Sequence, residues 1–109
     1  MKKRYPFLLA AVLVLSFIIS RFVNITTVPD GSSFAVHYID VGQADCALVL
    51  CDEKAMLIDG GNVDDSSLVV AYLKKMDIDY LDYVVCTHAH EDHVGGLPGV
   101  LAVFETKNV

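Results

Sequence analysis

The chain has 109 residues, enough for one domain at most, and its 14 acidic against 8 basic residues give a formal charge of −6. Three of the cations, Lys2, Lys3 and Arg4, sit at the extreme N-terminus, so the remainder is more acidic still. That balance argues against a broad basic footprint for nucleic acid or an anionic membrane surface, while leaving room for a substrate phosphate held through a metal ion.

The first stretch, MKKRYPFLLAAVLVLSFIISRFVN, sets a basic head before an apolar run from Phe7 to Ile19 interrupted only by Ser16. This is the layout of an export signal. The run falls short of the roughly 20 apolar residues of a membrane span, and extension past Arg21 through Phe22 and Val23 brings it closer. No small-x-small cleavage site closes it. Residues 1–24 therefore read as a hydrophobic signal-anchor helix, with a cleaved signal peptide and a buried helix of a soluble fold as alternatives. The basic head places the N-terminus in the cytoplasm and everything after Asn24 outside it. The expectation is a membrane-anchored extracytoplasmic domain, or a secreted one if the signal is cleaved. Residues 25–33, rich in Thr, Ser, Pro and Gly, read as a linker.

Beyond the linker, Phe34 to Val41, Ala44 to Cys51 and Lys54 to Asp59 are rich in Val, Ile, Leu and Tyr. Asp40-Val41-Gly42-Gln43 and Asp52-Glu53-Lys54 punctuate them, which predicts three strands in an antiparallel meander. Asp59-Gly60-Gly61 breaks that pattern. From Asp64 the period is helical, placing Leu68, Val69, Tyr72, Leu73 and Met76 on one face. Asp65 or Ser66 is the expected N-cap, and Lys74 and Lys75 lie in the last turn, where the helix dipole favours cations. Leu81 to Cys86 reads as a fourth, buried strand. After a histidine-rich loop, Gly95-Gly96-Leu97-Pro98-Gly99 and the apolar run Val100 to Phe104 read as the start of a second helix. Cys46, Cys51 and Cys86 are an odd count, each in an apolar run where a thiol behaves as a small buried hydrophobe. His37, alone on a strand, reads as packing or surface.

The loop THAHEDH, residues 87–93, holds three of the four histidines. His88 and His90, two apart in extended backbone at a strand end, point the same way and can reach one metal ion. Asp92 and His93 follow where the chain begins to turn, so they point elsewhere and can hold a second ion. Gly95 and Gly96 permit a tight backbone path and a helix N-terminus close to anionic substrate groups. Mixed nitrogen and oxygen donors suit zinc best, with manganese or iron as alternatives.

These residues resemble a family. His88-x-His90-x-Asp92-His93, preceded by Thr87, matches the H-x-H-x-D-H motif of the metallo-β-lactamase-fold hydrolases, and Leu57 to Gly61 (LIDGG) looks like their first motif. HYIDVGQADCALVL resembles the opening of the metallo-β-lactamase-like domain of competence proteins, the DNA-uptake channel family, with Ala44 where those sequences have Gly. The resemblance covers roughly residues 34 to 104. It implies an α/β fold: the N-terminal half of an αββα sandwich, in the order β-β-β-α-β, metal loop and start of a helix. Residues 34–109 would then be a truncated domain. It implies two zinc ions, with His88, His90, Asp92 and His93 as ligands and Asp92 also orienting the nucleophile. Asp59 supports the ligand loop without direct ligation. The family's remaining ligands, a later His, a bridging Asp and a last His, have no match here, so a completing chain or second-half fragment is implied. Two functions follow as expectations: a metal-dependent hydrolase of phosphodiesters or nucleic acid, inactive as this chain alone, or a non-catalytic membrane-anchored remnant.

Overall fold

In the computed structural model of the chain, which describes residues 10–17 and 33–109, five strands make one mixed sheet. They are β1 (Phe34–Tyr38), β2 (Ala47–Cys51), β3 (Lys54–Ile58), β4 (Tyr80–Val85) and β5 (Glu105–Asn108), adjacent in that order. The fold class is α/β, as the resemblance implies. β1, β2 and β3 are the expected antiparallel meander. Asp52 and Glu53 close the β2–β3 hairpin with φ of 45° and 64°, the doubly left-handed turn whose twist matches the flanking strands. β3 and β4 run parallel, which requires a crossover, and helix α1 (Ser66–Lys75) supplies it. That helix ends with Asp77 at φ 56°, its N–H on Lys74 O at 3.1 Å and the Ile78 N–H on Leu73 O at 3.0 Å. Asp tolerates this left-handed C-terminal turn better than most side chains.

The strand period sorts the side chains. His37, Leu48 and Leu57 lie side by side across β1, β2 and β3, and Leu57 pairs with Val84 of β4. Leu48, Leu57 and Val84 join Val69 and Leu73 of α1, and Leu97 and Val100 of a later short helix, in one buried core. His37 meets α1 here, its Nδ1 at 2.9 Å from Tyr72 Oη, a packing role. The alternate row of the meander, Val36, Val49 and Met56, continues to Tyr83 on the opposite face, where Phe34, Val36, Tyr38, Tyr83 and Val85 are exposed.

Three expectations are refined. β1 and β2 are shorter than their apolar runs, Tyr38 ending β1 and Ala47 opening β2 on either side of the turn in which Asp40 accepts the Gly42 N–H. The second helix expected to begin within residues 95–104 forms, but it is short and ends at Leu101. Two short helices, α2 (Glu91–Val94) and α3 (Leu97–Leu101), precede a buried Phe104, and the chain then enters β5 parallel to β4. Asp65 is the N-cap residue of α1, but its carboxylate makes no capping bond; it accepts Asn62 N at 2.8 Å and Asn62 Nδ2 at 3.0 Å, closing the preceding 3-10 turn.

All three cysteines are free, but only Cys46 is buried. Cys51 falls on the open face of the sheet and Cys86 lies past the end of β4, so both are exposed. Burial, and then the nearby charges of Asp59 and Asp65, push the Cys46 thiol up to about 12. Alkylation of the native chain is expected to modify Cys51 and Cys86 quickly and Cys46 only on unfolding; mass spectrometry of the labelled peptides checks this.

Residues 10–17 are helical and exposed. The rest of the expected 1–24 segment, and of the 25–33 linker apart from Ser33, lies outside the described residues. Among the described residues no helix is long and apolar enough to cross a membrane.

Candidate metal centre

Asp59 follows β3, and Thr87 and His88 follow β4, so the cluster forms at the carboxyl ends of the parallel pair, where open α/β sheets place ligands. Backbone hydrogen bonds stitch three segments together. Asp59 N donates to Val85 O at 2.8 Å, Gly60 N to His93 O at 2.8 Å, and Gly96 N to Gly61 O at 3.0 Å. The loop after β1 joins them, Asp45 N donating to Asp92 O at 3.1 Å and Gly61 N to Asp45 O at 2.9 Å. Glycine is required at the crossing because a Cβ on Gly96 would collide with the Gly60 carbonyl oxygen. Ala44 carries no strain: the left-handed residue of its turn is Gly42, at φ 68°.

Asp59 is the buried centre of the cluster, 3% exposed and held at φ 58°. Non-glycine residues adopt that backbone chiefly where surrounding contacts fix it, and here three donors do. Oδ1 accepts Thr87 N at 2.8 Å; Oδ2 accepts Thr87 Oγ1 at 2.6 Å and His93 Nδ1 at 2.9 Å. Burial pushes this carboxyl up, but the hydrogen bonds from the Thr87 hydroxyl and amide and from His93, with the His93 charge, outweigh it and hold the group below its ordinary range. A carboxylate so occupied is a support rather than a free donor to an ion.

The structure brings the three loop imidazoles together. The His88 ring centroid lies 4.8 Å from that of His90 and 3.9 Å from that of His93. His93, expected to point away from the other two, instead borders His88 and turns its Nε2 to two carboxylates, Asp45 Oδ2 at 3.5 Å and Asp92 Oδ2 at 3.8 Å. Glu91 is drawn off: its Oε1 accepts the Val63 N–H at 2.8 Å. Asp45 is the residue that sequence reasoning passed over. It sits in the run Ala44 to Cys51, read there as a strand, and nothing in local spacing marks a carboxylate so far upstream as a neighbour of His93.

The Asp59 hydrogen bond raises the His93 pKa above the ordinary 6.5; burial opposes this, and the charges of Asp92, Asp59 and Asp45 add to the rise. Protonated His93 therefore contributes stability that is fully present below its unfolded pKa and is lost as pH rises through the folded value. A metal ion taken by Nε2 would need that nitrogen unprotonated, so its affinity is expected to run the opposite way, rising with pH until His93 has released its proton. Urea denaturation of the metal-free chain and zinc titration across neutral pH check the two signs. Asp59→Asn is expected to flatten most of the stability slope.

Neutral imidazole nitrogens beside carboxylates fit a divalent ion of borderline softness. Among the described residues, no three His, Cys, Asp or Glu side chains are placed to hold an ion between them, so the donors stand as neighbours rather than as a closed shell.

The molecule is thus an α/β protein with a histidine and carboxylate cluster at the ends of its parallel strands. Residues 39–109 match the metallo-beta-lactamase superfamily, and the chain belongs to that superfamily, whose members usually bind metal ions. It is 39% identical over 59 residues to a metallo-beta-lactamase fold-containing protein of Sulfurisphaera tokodaii. That match takes in 54% of this chain and 21% of the relative, so the chain spans about a fifth of that protein's length. No solved structure matches the chain.

Proposed function

We propose that the chain carries the amino-terminal ligand set of a two-metal hydrolase, with His88, His90, Asp92 and His93 holding the ions. The observation that carries this reading is the Asp59 network, which ties Nδ1 of His93 and leaves its Nε2 facing carboxylates. Metal-bound histidines are held in this way by a carboxylate behind the ring. Zinc fits the donor set best, with manganese or iron as alternatives. When bound, such ions supply an activated water and a site for developing negative charge. Asp92 orients the nucleophile, Asp59 and Thr87 hold the ring orientations, and the remaining ligands come from the other half of an αββα sandwich. The competence-like DVGQAD opening points to phosphodiesters of nucleic acid as substrate; an acidic chain would engage that polyanion through its ions. Residues 1–24 are read as the anchor that places the domain outside the cytoplasm.

The second reading, a non-catalytic membrane-anchored remnant, is favoured by the lack of any three-ligand group among the described residues. Zinc-dependent hydrolysis of a chromogenic phosphodiester separates the two. The chain alone is expected to show no turnover above free zinc, and a second-half fragment of a related protein to restore it. Restored cleavage of a β-lactam but not of the phosphodiester would overturn the substrate class. No restoration with any substrate would favour the remnant.

A further inference from the structure

We propose that Thr87 is a positioning residue whose hydroxyl extends the hold of Asp59 from His93 to His88, so that one buried carboxylate sets the tautomers of both rings. The proposal rests on the proton count at one oxygen. Thr87 Oγ1 carries a single hydrogen, and a carboxylate accepts only. The 2.6 Å contact to Asp59 Oδ2 has the length of a charge-assisted bond and takes that hydrogen. The same Oγ1 lies 3.1 Å from His88 Nδ1, where it can then only accept. His88 Nδ1 is therefore the protonated nitrogen, and Nε2 keeps its lone pair. His93 reaches the same state directly, its Nδ1 donating to Asp59 Oδ2 at 2.9 Å. The amide of Thr87, bonded to Asp59 Oδ1 at 2.8 Å, fixes the threonine so that its hydroxyl cannot swing away. In the proposed metal site, His88 and His93 belong to different ions, so Asp59 and Thr87 would prepare one ligand of each.

The tautomer claim stands apart from metal binding and is read without it. In the metal-free wild-type chain at alkaline pH, 15N-edited NMR of the imidazoles is expected to show both His88 and His93 protonated at Nδ1. A wild-type His88 protonated at Nε2 would overturn the proposal with no variant needed. Thr87→Val removes the acceptor and is expected to release His88 from the Nδ1–H form, while His93, held by Asp59 itself, keeps it and reports that the loop is intact. Thr87→Ser restores the His88 tautomer. Zinc affinity is expected to fall about 10-fold in Thr87→Val, the lower end of losses for groups behind a ligand, and to recover in Thr87→Ser. An unchanged His88 tautomer in Thr87→Val, or no recovery in Thr87→Ser, would refute the role. Normal tautomers with no zinc binding in any form would leave the relay standing and overturn the metal-site reading instead.

Discussion

Gly96→Ala is expected to unfold the cluster and to lower the stability of the sheet domain more than any other single-methyl addition to the loop. The added Cβ meets the Gly60 carbonyl oxygen, with Gly60 C at 2.9 Å and Asn62 O at 3.2 Å behind it. These are backbone atoms fixed by hydrogen bonds on both sides, Gly60 N to His93 O and Gly96 N to Gly61 O, so no side chain can swing aside. The cost should lie at or above the top of the roughly 1–3 kcal/mol range for overpacking. For a domain of this size that is a fall in Tm of about 12 °C or more. Gly42→Ala is the control. It has the unfavourable φ of 68° but nothing within 4 Å of a new Cβ, so only the left-handed penalty of about 1–2 kcal/mol applies. Thermal melts of the two variants decide it: Gly96 sits at φ −80°, where alanine carries no backbone penalty, so a loss no larger than that of Gly42→Ala would mean that the close crossing is not rigid.

Asp59→Asn is expected to weaken zinc binding by about 10- to 100-fold while leaving the fold in place. Asparagine is the informative change because it tolerates φ near 58° and keeps one oxygen for the Thr87 amide. What it loses is the second acceptor, shared by Thr87 Oγ1 and His93 Nδ1. His88→Ala, which deletes a donor outright, is expected to cost more. Calorimetric titration of the two variants with zinc ranks them, and a loss in Asp59→Asn equal to or greater than that in His88→Ala would make Asp59 a direct ligand.

The meander and β4 were legible as runs rich in Val, Ile, Leu and Tyr set between turn residues, and the crossover helix from helical spacing through Val69 and Leu73. β5 was not, since Glu105-Thr106-Lys107-Asn108 is polar and short, and its pairing with β4 is decided by tertiary context. The HAHEDH spacing marked the loop, but it could not show that His93 would turn back beside His88. That turn follows from Asp59, which is distant in sequence and reaches the ring only through the β3–β4 pairing. Asp45 was hidden for the same reason. Exposure of Cys51 and Cys86 depends on which face and which end of a strand each occupies, and apolar composition is blind to both.

The central claim is that His88, His90 and His93 are metal donors, with Asp59 orienting His93 directly and His88 through Thr87, and imidazole 15N shifts on zinc titration test it most directly. His37 is the built-in reference, since it faces Tyr72 of α1 on the covered face of the sheet. The account predicts that zinc moves the Nε2 resonances of His88, His90 and His93 and leaves His37 in place. Shifts at His37 alone, or no zinc-dependent shift at the three loop histidines, would contradict it.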